Sequence, residues 1–227
     1  MPVILQQNKP YYFCRSINYK NYTAMKRINI FFLLLFLIPV LGFAQTTETF
    51  DYVSPFHEGF SAVKSGNQWG FINKEGKLVI DFRDDLFATK IKDEAYPIFS
   101  NSRCIIFKKK DAISYFGYID TSGKTIIPPT FLNASNYVNN IAIVLELDKE
   151  IAGHNDIMGK DIVYYTYREV VLNTKGKVIE KLTPPKNVVF DKIFFYEPLK
   201  ITSKILSEKL VAFLNEQHKW QIKKLDK

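Results

Sequence analysis

The chain of 227 residues has two cysteines, Cys14 and Cys104, and three histidines, His57, His154 and His218. No two histidines stand at metal-ligand spacing and none pairs with Cys104 by a local signature, so no metal site is expected. Phosphate-cradling glycine loops and nucleophile elbows are absent. The acids between Asp81 and Tyr96 lack the alternation and central glycine of a calcium loop. His57 and Glu58 are adjacent, which in a strand turns them to opposite faces and excludes a dyad. Cys104, between Arg103 and Ile105, reads as a small buried hydrophobe. The expectation is a chain without catalytic residues, cofactor or metal.

Acids are missing from residues 1–44, which hold five bases and no Asp or Glu. From Met25 the sequence reads as a secretory signal peptide: Lys26 and Arg27, an apolar run from Ile30 to Leu41, then Gly42-Phe43-Ala44 before Gln45. Cleavage is expected between Ala44 and Gln45. The apolar stretch is shorter than the ~20 residues of a spanning helix, so membrane attachment is expected only if the peptide stays uncleaved. Residues 1–24 read as an extension upstream of the true start. Beyond residue 44 the chain carries 26 bases and 23 acids, so the formal +8 falls to +3 and no nucleic-acid partner is expected. One cysteine remains, and no internal disulfide can form. The protein is expected to be exported, periplasmic or secreted.

What is abundant is aromatic: 19 Phe and 13 Tyr, a composition that suits strands. Lining the chain against itself shows why. Trp69-Gly70-Phe71-Ile72-Asn73-Lys74-Glu75-Gly76-Lys77 returns as Phe116-Gly117-Tyr118-Ile119-Asp120-Thr121-Ser122-Gly123-Lys124 and, more weakly, as Val170-Val171-Leu172-Asn173-Thr174-Lys175-Gly176-Lys177. Upstream of these, the block from Phe56 to Val63, which contains Gly59, answers to Phe99–Ile106 and Tyr137–Val144. Each unit predicts three strands, in the first copy near 60–64, 69–72 and 77–82. A tight turn is opened by Asn73, Asp120 or Asn173 and closed by Gly76, Gly123 or Gly176. Gly70 and Gly117 inside strands imply close backbone approach.

These motifs resemble the WG repeat of bacterial proteins, closely over residues 50–82, in altered form over 96–131 and faintly over 131–180. Phe116 replaces the Trp in the second copy, and Glu169-Val170 replaces the Trp-Gly pair in the third. The resemblance implies an all-β module of antiparallel hairpin repeats over 45–185, about three units, with no catalytic residues to carry over.

The copies differ most between their first and second strands. The spacing is 7 residues from Val63 to Gly70, 11 from Ile106 to Gly117, and 26 from Val144 to Val170. The added stretch is either a hairpin that runs on, from the alternation at Leu145–Asp148 and the strand-forming run at Asp161–Tyr167, or a partner-binding protrusion. In the second case Glu146, Asp148, His154 and Asp156 are candidate contacts. Lys108–Lys110 reads as an exposed turn. Beyond Pro184-Pro185, residues 186–227 are expected to add a strand or two and a helix from Ser203 to about Gln217. That helix would present Ile205, Leu206, Leu210, Phe213 and Leu214 on one face and either cap the sheet edge or dock a partner. The function these features suit is an exported non-catalytic binding module for a protein or cell-envelope polymer. An unrecognised or degenerate hydrolase, and an element that works only as an oligomer, are the alternatives.

Overall fold

The computed structural model describes residues 48–190 and 198–226. The signal peptide at 25–44, the Ala44/Gln45 junction, residues 1–24 and the expected strand at Ile193–Phe195 lie outside them. Phe50–Lys227 is one compact unit. Among the described residues the structure is all strand, every pair antiparallel, with no helix.

Four hairpin units follow one another. The first is β1 (Tyr52–Val53), β2 (Ser61–Ser65), β3 (Gln68–Ile72) and β4 (Leu78–Arg83), neighbours in that order. A small hairpin, β5 (Thr89–Ile91) with β6 (Glu94–Tyr96), lies within the acidic stretch between Asp81 and Tyr96. The second unit is β7 (Cys104–Lys110), β8 (Ile113–Ile119) and β9 (Thr125–Phe131). The three lysines 108–110 thus end a strand, and Asp111-Ala112 make the turn. The third unit is β10 (Asn133–Ala134), β11 (Ile141–Asn155), β12 (Lys160–Asn173) and β13 (Val178–Lys181), with β14 (Lys186–Val188) also on β12.

The fourth unit corrects the expected C-terminal helix. Residues 203–217 form β15 (Lys204–Ser207) and most of a hairpin with β16 (Leu210–Leu214), and β17 (Trp220–Lys224) completes three strands. Asn215 opens a turn built like the other three. The Asn73 side-chain oxygen accepts from the amides of Glu75 (3.1 Å) and Lys77 (2.9 Å), and the Asn215 oxygen accepts from Gln217 (3.0 Å) and Lys219 (2.9 Å). Asp120 and Asn173 repeat the pattern. The Ser122 hydroxyl, bonded to Asp120, helps hold that carboxyl below the usual range. His218 takes the place of the glycine, with φ of 57° against 76° at Gly76. Spacing of apolar residues every three or four positions favoured a helix. The turn, which is local side-chain-to-backbone chemistry, decides for strands.

Strand alternation gives each unit two apolar faces, and the units stack through them. Phe71 and Ile80 of the first unit share a buried cluster with Cys104, Ile106 and Ile119 of the second. Phe116, Tyr118 and Ile127 of the second pack with Ala142, Val144, Val170 and Leu172 of the third. Ile141, Ile143 and Val171 of the third meet Val211, Ile205 and Phe213 of the fourth. Phe71, Tyr118 and Val171 each stand two residues before the turn Asn or Asp and face the following unit. Phe213 holds the same position yet faces back, so the last unit is reversed on its neighbour and ends the stack.

Tight turns lead into the first three units. Both central residues have positive φ: Glu58-Gly59, Asn101-Ser102 and Asn139-Asn140. The turns are tied together in series. The Glu58 carboxylate accepts from the amides of Asn101 (2.7 Å) and Ser102 (2.8 Å), and the Asn101 side chain accepts from the Asn140 amide (2.8 Å). The aromatic residue before each later turn packs on the preceding unit: Phe99 lies 4.7 Å from Phe71, and Tyr137 4.9 Å from Tyr118. Tyr137 donates to the Asn173 carbonyl (2.8 Å), and burial pushes its hydroxyl up to about 12. Cys104 is buried, and desolvation raises its thiol far above the ordinary range, which leaves it inert.

Candidate binding arm

The added stretch of the third unit is one continuous hairpin. β11 and β12 pair from Ile141↔Asn173 to Asn155↔Lys160, with a single irregularity between Ile151 and Gly153. Its base belongs to the core: Leu145 and Glu169 are buried, and Leu145, Leu147 and Tyr167 pack with Ile113, Leu132 and Phe190. Beyond Lys149↔Tyr165 the two strands pair only with each other among the described residues. β10 ends its pairing at Leu145, and β14 reaches only Tyr165–Tyr167. Both backbone edges of this outer arm are therefore open.

Directly opposite residues share a face, and the two faces of the arm differ. One carries Glu146, Asp148 and Glu150. Arg168 donates to Asp148 (2.6 Å) and stands 3.8 Å from Glu146. Tyr164 donates to Glu150, a bond that raises the Tyr164 hydroxyl, with burial adding to the shift. Near the tip His154 pairs with Asp161 at 2.7 Å. Of the four candidate contacts, then, Glu146, Asp148 and His154 are engaged within the hairpin, and Asp156 is exposed in the tip turn. Register decides these pairings, so sequence spacing did not show them. Composition did not flag the apolar surface either: Ile151 is 65% exposed, Ile162 53% and Ile157 98%.

Glu169, which replaces the repeat's Trp, is a second residue whose role the sequence hid. It is buried on β12, and its carboxylate accepts from the Thr202 amide (2.9 Å), the Thr202 hydroxyl (2.7 Å) and the Ser203 amide (2.8 Å). It ties the fourth unit to the third. Ser203, the expected start of a helix, donates its backbone amide to Glu169 instead.

The other polar groups are scattered. His57 lies 3.4 Å from the Tyr96 hydroxyl. Asp84 and Asp85 line a surface cleft with Lys108 and Lys109, and Arg83 grips Asp85 through two bonds of 2.5 and 2.7 Å. Among the described residues no group of three His, Cys, Asp or Glu is placed to hold a metal ion.

Comparison with curated proteins and with solved structures finds no match. The family model of the WG containing repeat matches residues 49–69, 69–83 and 116–149. The first two segments span the first unit, and the third runs from β8 through β11 to the foot of the arm. On these matches the chain carries WG containing repeats, which form its first unit and continue from the second into the third.

Proposed function

We propose that this protein is an exported, non-catalytic repeat module that holds a protein of the cell envelope through the β11–β12 arm. The supporting observation is the arm itself, two strands with open backbone edges and exposed Ile151, Ile157 and Ile162. Open edges accept an added strand from a partner, and neighbouring apolar side chains give that pairing its contact area. The repeats supply a rigid base, and the Arg168 and His154 pairs keep the arm in register. Assembly through a C-terminal helix loses its element, since those residues are strands. The export half rests on the sequence from Met25 to Gln45.

Cutting at Leu145 would open the core, so the arm is best shortened at Lys149↔Tyr165, with an Asn-Gly turn replacing residues 150–164. The shortened protein should keep its thermal midpoint within a few degrees and lose capture of envelope protein. Equal capture by the shortened protein overturns the arm as the binding element. N-terminal sequencing should find Gln45, and an intact Met1 overturns export.

A further inference from the structure

The outer face of the fourth unit has a composition unlike the rest of the molecule. Because the unit is reversed, Val211 and Phe213 point inward, and among the described residues no unit covers the opposite face. The pairings Lys204↔Ala212, Ala212↔Ile222, Leu214↔Trp220 and Leu210↔Lys224 put those residues on that face. Trp220 is 50% exposed and Ile222 67%. Lys204 lies with its ammonium 4.8 Å from the centre of the Trp220 ring. No strand residue of this face is acidic. The charge is as uneven as the apolar surface: residues 198–226 hold six lysines against three acids, whereas residues 48–190 hold eighteen bases and eighteen acids.

We infer that this face binds the surface of an anionic lipid bilayer. A large ring with a polar edge suits the interfacial layer, and Trp is favoured there. Ile222 and Leu210 supply aliphatic surface for the acyl boundary. Lys204 and Lys224 supply the cations that anionic headgroups attract, on stems long enough to lie along an apolar surface. In the free protein Lys204 covers Trp220. At a bilayer the ammonium turns to a headgroup and releases the ring. The exposed aliphatic side chains favour lipid over a charged polysaccharide, which would need hydrogen-bonding groups around the ring.

The test uses protein starting at Gln45, which keeps the whole compact unit and omits the apolar run at 30–44 that would itself enter a bilayer. Trp69→Phe leaves Trp220 as the sole Trp reporter. With vesicles of phosphatidylcholine and phosphatidylglycerol at about seven to three, Trp220 emission should shift to the blue and the protein should sediment. Vesicles of phosphatidylcholine alone should give neither. Trp220→Ser with Ile222→Ser should weaken sedimentation at least tenfold. Lys204→Glu with Lys224→Glu leaves the apolar residues in place and should remove the preference for anionic vesicles. Failure of the starting protein to sediment overturns the inference. So does sedimentation of both variants equal to that of the starting protein, or a blue shift with soluble polygalacturonate but none with vesicles.

Discussion

The first two units and the last two treat one strand position differently. Gly70 and Gly117 occupy it in the first pair, Val170 and Ala212 in the second. In the first pair the register between the second and third strands slips across the glycine, from Trp69↔Arg83 to Phe71↔Ile80 and from Phe116↔Phe131 to Tyr118↔Ile127. The slip drives the partner backbone onto the glycine: a Cβ on Gly70 would meet the Ile80 carbonyl at 2.9 Å, and one on Gly117 would meet the Ile127 carbonyl at 2.3 Å. In the second pair there is no slip at that point. Val170↔Lys181 is followed directly by Val171↔Glu180, and β16 and β17 pair without interruption. The strand glycine is thus the partner of a bulge, and where the bulge is gone a side chain returns. The fourth unit also lacks a second slip, which the other three have between Phe71 and Ile72, Tyr118 and Ile119, and Val171 and Leu172, so Phe213 pairs with Gln221, whereas Phe71 pairs with Ile80 and Tyr118 with Ile127. That accompanies the reversal of the fourth unit.

The largest effect is expected at Gly117. Gly117→Val should cost about 4 kcal/mol or prevent folding, because backbone rather than a flexible side chain fills the space. Urea unfolding measures it, and a cost below ~1 kcal/mol would show that the bulge relaxes freely. The second test lies on the other side. Glu169→Ala removes the acceptor of three hydrogen bonds and strands two amides, a loss of about 3 kcal/mol. Hydrogen exchange should then rise over residues 204–224 before it rises in the first two units. Uniform exposure would contradict a local tie. The smallest effect is at the reversed unit's turn, where His218→Gly relieves a left-handed conformation and should stabilise by roughly 0.5 kcal/mol after the cost of a freer unfolded chain.

Turn chemistry made three of the four units legible, because Asn or Asp at one end and Gly at the other are demanded locally whatever packs around them. The fourth escaped because Val211-Ala212 stands for Trp-Gly and His218 for the closing glycine. What remained was Asn215 with Lys219, 42 residues after Asn173 and Lys177. The apolar positions of 205–214 satisfy helix spacing and a hairpin equally, so periodicity alone did not choose. For the arm, alternation at Leu145–Asp148 announced the strands. The clasp of Arg168 by Asp148 depends on a register twenty residues apart and had no local signal. Glu169 was visible as a departure from the repeat, but its partners at Thr202 and Ser203 come from tertiary packing.

The claim on which most rests is that residues 204–224 are a reversed fourth repeat. Nuclear Overhauser contacts in the protein starting at Gln45 test it directly. Cross-strand contacts of Ala212 with Ile222, together with contacts from the Phe213 ring to the cluster of Ile141, Ile143 and Val171, are predicted. Helical contacts between residues three apart over 203–217, or a Phe213 ring turned to solvent, would contradict it.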